Sequence, residues 1–92
     1  MTDKDFLYEA GQAIVRARKM RGMSQSMLAN LCGMDPSNLS VIENGGTNPR
    51  LLTILKLAVA LEMPFNELFD FDFEYRSLME SKPVYQGRKH KK

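Results

Sequence analysis

Residues 24–45 have the sequence SQSMLANLCGMDPSNLSVIENG, which predicts two short helices joined by a tight turn. Ser24 is a good N-cap, because its hydroxyl can accept a backbone N–H of the first turn. Gly33 suits the left-handed conformation in which many helices end. The helix between them has apolar residues spaced so that they share one buried face: Leu28, Ala29 and Cys32.

The second helix of this stretch begins directly after the turn. Asp35 is a good N-cap, and Pro36 is favoured in a first helical turn. Leu39 and Ile42 are expected to face the core, and Gly45 ends the helix. The residues left to face outward are Ser37, Asn38, Ser40 and Val41. Two short helices at a steep angle, the second with a small polar outer face, are typical of a helix-turn-helix that binds DNA.

Three further helices are predicted outside this stretch. The first is capped by Thr2 or Asp3 and reaches about Arg21. Another covers about residues 48–61, beginning at an Asn-Pro pair; it is apolar on most sides, and we expect it to be the central core helix. A short helix over residues 64–69 completes the set. The sequence therefore predicts an all-α chain of five helices.

Aromatic and acidic side chains alternate strictly over residues 69–75. A period of two favours a strand, but a lone strand has no partner in an all-helical domain. One interpretation is pairing with the same segment of a second subunit; the other is an irregular tail whose aromatics cover the domain's own face. We predict a helix-turn-helix domain over residues 1–69 and a C-terminal tail over 70–92 that ends in a solvated basic segment, RKHKK.

Composition excludes several classes of function. The net charge is +2, and residues 1–69 carry seven basic and seven acidic side chains, so charge alone does not identify a nucleic-acid binder. The single cysteine, Cys32, cannot form an internal disulfide, which fits a cytoplasmic protein. The sequence contains no run of about 18 apolar residues, so it predicts no membrane span. Without paired carboxylates, a nucleophile–histidine pair, a phosphate loop or a metal-spaced cluster, we expect no catalytic residues, cofactor or metal.

The residues quoted above resemble the lambda-repressor-like, or XRE, helix-turn-helix family. The resemblance covers about residues 10–69 and is carried by the segments IVRARKMRGMSQ, LANLCGM, LSVIENG, NP, LLTILKLAVAL and ELF. It implies a five-helix domain whose third helix, about residues 36–44, enters the major groove of double-stranded DNA. It also implies an internal salt bridge between Arg18 and Glu43.

The resemblance further implies two sets of DNA-contacting residues. The set expected to face the bases is Pro36, Ser37, Asn38, Ser40 and Val41. The set expected at the DNA backbone is Ser24, Gln25, Asn44, Thr47, Asn48 and Arg50. Two orientations remain open, since Val41 can instead face the core and Asn38 can contact a base or a phosphate.

The third helix has no Arg, Lys or Gln on its reading face, so a single copy would specify a DNA site weakly. We therefore expect a small homodimeric transcriptional regulator, a repressor or controller, on half-sites about one helical turn apart. One alternative is the antitoxin of a toxin–antitoxin pair, which would also bind a protein partner. Another is a protein-interaction module on the same fold, which the near-neutral charge of residues 1–69 favours.

Overall fold

The computed structural model describes residues 2–72. These residues form five α-helices in the order α1 (Asp3–Met20), α2 (Gln25–Leu31), α3 (Pro36–Glu43), α4 (Leu51–Ala60) and α5 (Phe65–Leu68), and none of them lies in a strand. The predicted all-α, five-helix fold is confirmed. The expectations for the tail beyond residue 72, including its basic end, lie outside the described residues.

Side-chain caps begin the first three helices, as the sequence predicts. Thr2 caps α1. The Ser24 hydroxyl accepts the backbone N–H of Met27 at 3.1 Å and so caps α2. The Asp35 carboxylate accepts the backbone N–H of Ser37 at 3.1 Å, and proline occupies the first turn of α3. Each cap satisfies a backbone donor that the helix itself leaves unpaired.

Glycines with positive φ end both helices of the helix-turn-helix. Gly33 has φ +67° and Gly45 has φ +72°, which is left-handed backbone that favours glycine. Gly45 meets a second requirement, because a Cβ there would lie 2.6 Å from the Cα of Tyr8. The turn after α3 is thus packed directly against the backbone of α1.

One hydrophobic core joins all five helices. Its buried members are Ile14, Ala17, Leu28, Ala29, Leu39, Ile42, Leu57, Ala58, Leu61 and Leu68. The third helix packs chiefly on α1 and α2, whereas α4 packs chiefly on α2 and α5. The core therefore supports α3 from one side and leaves its other side to solvent.

The expectation for the fourth helix is wrong in two respects. It begins at Leu51 rather than at the Asn-Pro pair, because Arg50 keeps an extended backbone with ψ 150°. It is not the central core helix either: within its bounds only Leu57 and Ala58 are buried. With chiefly α2 and α5 packed against it, much of its apolar surface remains in solvent.

Of the two interpretations of residues 69–75, the strand is not formed in the described part, residues 69–72. Phe69 is the C-cap of α5, and its carbonyl accepts the N–H of Phe71 at 3.0 Å, a tight turn that an extended strand excludes. The Phe71 ring packs on Phe6 of α1 with centroids 5.8 Å apart. These aromatics cover the domain's own face, and residues 73–75 lie outside the described part of the chain.

Candidate nucleic-acid interface

The outward side of α3 is small and polar. Ser37, Asn38 and Val41 are exposed, and Pro36 and Ser40 beside them are half-buried. Of the two orientations open for Val41, the structure has the outward one, with 45% of the residue accessible to solvent. All five residues predicted to face bases thus lie on α3, three of them exposed and two half-buried.

Asp35 sets the hydrogen-bonding capacity of Ser37. The Ser37 hydroxyl donates to the Asp35 carboxylate at 3.1 Å, while the same oxygen accepts the Ser37 backbone N–H. A hydroxyl has a single proton, so this one presents its free lone pairs to solvent as acceptors. In this conformation Ser37 can accept from a donor at the protein surface but has no proton left to give.

The C-terminal end of α3 is fixed by the carboxylate of Glu43, which is 2% exposed. Arg18 of α1 binds it through two bonds, from Nε to Oε2 at 2.7 Å and from Nη2 to Oε1 at 3.1 Å. Gln25 of α2 donates from Nε2 to Oε1 at 2.7 Å. This buried charge is therefore paired and hydrogen-bonded by both neighbouring helices, as a charge removed from water requires.

Two α1 residues that sequence reasoning missed hold the backbone of α3. Gln12 donates from Nε2 to the carbonyl of Glu43 at 3.1 Å. At Gly11 a Cβ would lie 2.4 Å from the Glu43 carbonyl oxygen and 2.5 Å from that of Ile42, so only glycine permits this approach. A signal was present, because glycine within a helix is destabilising by about 1 kcal/mol relative to alanine unless close packing requires it.

The residues predicted to contact the DNA backbone lie on either side of α3. Ser24 and Gln25 are at the start of α2, and the Gln25 amide nitrogen retains a second N–H beyond the one given to Glu43. The remaining residues of this set are exposed in the segment from the end of α3 to the start of α4: Asn44, Thr47, Asn48 and Arg50. Their contact with DNA stays a prediction.

Arg21 has a structural role that the sequence did not indicate. Its Nε donates to the carbonyl of Leu61 at 2.7 Å and its Nη2 to that of Glu62 at 3.0 Å. These carbonyls follow α4, where Glu62 has a left-handed backbone with φ 54°. A cation at a helix C-terminus satisfies free carbonyls and opposes the negative end of the helix dipole.

Cys32 has the environment of a structural thiol. Its Sγ donates to the carbonyl of Lys56 at 3.5 Å, and burial raises its pKa above the ordinary value, which disfavours the reactive thiolate. Residues 2–72 contain no cluster of His, Cys, Asp and Glu suited to a metal ion. In the same part of the chain, no helix is both long and apolar enough to cross a membrane.

Comparison with known proteins identifies the family. A family model described as HTH_3, helix-turn-helix, matches residues 14–68, the segment from the middle of α1 to the end of α5. The chain belongs to this helix-turn-helix family. The relatives that it matches are named as transcriptional regulators and a controller protein, and the resemblance drawn from the sequence is confirmed.

Individual relatives agree with the family assignment. An uncharacterised HTH-type transcriptional regulator of Haemophilus influenzae is 40% identical over 48 residues, and the chain spans about half of its length, 49%. The crystal structure of a restriction-modification controller protein from Aeromonas hydrophila is similar with TM-score 0.66 and 43% identity, over 68% of this chain and 96% of that one. An HTH_3 family regulator from Vibrio cholerae has TM-score 0.69 and 33% identity, over 75% of this chain and 39% of that one.

Proposed function

We propose that this member of the helix-turn-helix family is a small cytoplasmic, homodimeric transcriptional regulator that binds double-stranded DNA sequence-specifically, with α3 in the major groove. The observation that carries the proposal is the Glu43 carboxylate. Donors from α1 and α2 hold it, so α3 presents its polar face at a fixed angle. A recognition helix requires this rigid support, since base contacts fail when side chains are displaced by about an ångström.

The chemistry of the α3 face supports readout by small groups. Ser37, whose hydroxyl donates its proton in a hydrogen bond to Asp35, can accept a hydrogen bond from the amino group of adenine or cytosine. Asn38 can pair with adenine through both ends of its amide, and Val41 offers methyl groups to a thymine methyl. Each correct contact of this kind is worth about 1–3 kcal/mol, so two half-sites in a two-fold operator supply the specificity.

The flanking residues suit attachment to phosphates. Gln25 can donate one amide proton to Glu43 and the other to a phosphate, which couples the DNA backbone to the brace of α3. Ser24, Asn44, Thr47 and Asn48 add neutral donors, and Arg50 adds charge. Residues 1–69 sum to zero charge, so binding should be less salt-dependent than for strongly basic domains.

Similarity to the Aeromonas hydrophila protein favours a controller within the regulator class, because the chain covers 96% of that structure at 43% identity. Nothing among the described residues specifically favours a toxin partner, so we do not propose the antitoxin function.

Selection of bound sites from a random duplex pool, followed by fluorescence anisotropy on the selected site, tests the function. We expect a two-fold symmetric site. Ser37→Ala and Val41→Ala should relax base preference within each half-site. Gln25→Ala should weaken binding to all duplexes alike, because it removes a phosphate contact and a bond to Glu43.

Met20→Gln provides the control, since Met20 is exposed on α1 and outside both predicted sets; its affinity should equal that of the native chain. Absence of binding to any duplex at high micromolar protein and low salt would overturn the proposal. If the α3 variants keep the base preference of the native chain, α3 is not the helix that recognises the bases.

A further inference from the structure

The fourth helix carries an unpartnered aliphatic surface. Leu51, Leu52, Leu55 and Val59 lie within about 100° of arc at 3.6 residues per turn, beside the buried face of the same helix. Leu31 at the end of α2 lies next to them, lining one groove with Leu55 and Val59. The exposed fractions in this α4 surface are Leu31 64%, Leu51 72%, Leu52 68%, Leu55 46% and Val59 68%.

We propose that the α4 surface joins two copies of this chain in an antiparallel, two-fold pairing of their α4 helices. The inference rests on the homodimer of the proposed function and assigns its interface to a place that neither the sequence nor the comparisons indicate. It replaces the segment 69–75 as the dimerisation element, since Phe69 and Phe71 of that segment pack on each other, and Phe71 also packs on Phe6 of their own domain.

The size of the surface fits the centre of a dimer interface. A fully exposed leucine or valine offers roughly 60–120 Å² of apolar area, so the five residues together present about 200–380 Å². A standard interface buries about 800 Å² per partner, with an apolar centre and a polar rim. The α4 surface thus supplies the apolar centre, and the polar ends of the helix supply part of the rim.

Charge around the surface favours a second copy over a strongly charged partner. Three exposed charged residues border the surface: Arg50 before α4, Glu62 after it, and Lys56 beside Leu55. In an antiparallel pairing, each end of the interface brings Arg50 of one copy toward Glu62 of the other. A two-fold contact must be self-complementary, and opposite charges at the two ends of one helix meet that condition.

The position of the surface is compatible with DNA binding. The fourth helix packs chiefly on α2 and α5, whereas α3 packs chiefly on α1 and α2. The groove that contains Leu31, Leu55 and Val59 is lined by no residue of α3. A copy seated there leaves the exposed side of α3 uncovered. Two such faces on one two-fold axis are what a symmetric pair of half-sites requires.

Sedimentation equilibrium of the full chain, over a range of concentrations, tests the interface with a double variant, Leu52→Gln with Val59→Gln. Both residues are more than two-thirds exposed, so the folded monomer should keep its helix content. We expect the Kd for dimerisation to rise by about 30-fold or more, as for loss of central apolar contacts. Met20→Gln, at an equally exposed apolar residue on α1, should leave that Kd unchanged.

Cross-linking tests the geometry independently of any loss of folding. In a chain made cysteine-free by Cys32→Ser, Leu55→Cys lies close to the two-fold axis of the pairing and should form a disulfide with its own counterpart. Met20→Cys, in the same background, should stay monomeric under identical mild oxidation.

The possible failures are distinguishable. A native dimer whose Kd is unchanged in the double variant, with no cross-link at Leu55→Cys, would place the interface elsewhere and leave the proposed regulator intact. A native chain that remains monomeric up to millimolar concentration would overturn the α4 interface and the homodimeric regulator together.

Discussion

Replacing Arg18 with methionine should destabilise the domain by about 3–5 kcal/mol, because it leaves the Glu43 carboxylate buried without its cation. This loss in free energy of unfolding is the one expected for a buried ion pair, and it is larger than the loss for an ion pair exposed to solvent. The pair has side-chain exposures of 12% and 3%, and its two bonds, at 2.7 and 3.1 Å, hold both carboxylate oxygens. A third donation, from Nη1 to the carbonyl of Met23 at 3.0 Å, would be lost as well.

Reversible urea unfolding, followed by circular dichroism at 222 nm, measures the effect. A domain of this size has a free energy of unfolding of about 5–15 kcal/mol, so the variant should fold but only marginally. Its midpoint should fall while the slope m stays constant, and its melting temperature should drop by about 12–40 °C. Arg16→Met, at an exposed arginine of the same helix, should stay within about 0.5 kcal/mol of the native chain.

A double-mutant cycle separates pairing from desolvation. Glu43→Met alone should also be destabilising, because Arg18 and Gln25 lose their acceptor. The double variant, Arg18→Met with Glu43→Met, should be more stable than the sum of the single changes by about 2 kcal/mol or more, since no unpaired charge remains buried. A loss below about 1 kcal/mol in Arg18→Met, or strictly additive effects, would refute the reasoning.

Two further changes test the helix packing and the turn after α4. Gly11→Ala should lower the free energy of unfolding in urea by about 1–3 kcal/mol, because its Cβ would clash with the carbonyl oxygens of Glu43 and Ile42. This loss should outweigh alanine's better helix propensity. A more stable variant would show that α1 and α3 are not in close contact. Glu62→Gly should raise the melting temperature, with a gain of about 0.5–1 kcal/mol, because φ 54° strains any residue with a Cβ. Glu62→Ala, which removes the charge but keeps the strain, should show no such gain.

Features fixed within one or two turns of chain were predictable from the sequence. The caps at Ser24 and Asp35 and the end of a helix at Gly33 depend on side chains close in sequence, so no tertiary information was needed. The set of DNA-contacting residues came from the family resemblance, and it stays a prediction.

Features that depend on packing between distant segments were not predictable. The apolar sequence of α4 favours burial of the helix but does not show which of its sides the neighbouring helices cover. Arg21 caps a helix end 40 residues away in sequence, a contact that no local pattern encodes. The alternating aromatics favoured a strand, yet Phe71 packs on Phe6 of α1, a contact between residues far apart in sequence that no local pattern encodes.

The shared acceptor at Glu43 has a consequence for how the protein would adjust to imperfect operators. With α1 and α2 both bonded to one carboxylate, α3 cannot tilt without breaking a buried ion pair. The orientation of α3 is therefore rigid. If groove width or half-site spacing does not match the protein, the DNA must deform instead. Bending a site of 20–30 base pairs by 40–90° has a free-energy cost of about 1–6 kcal/mol that depends on sequence. Under the proposed function, operator choice would then depend on the flexibility of base steps that the protein never touches.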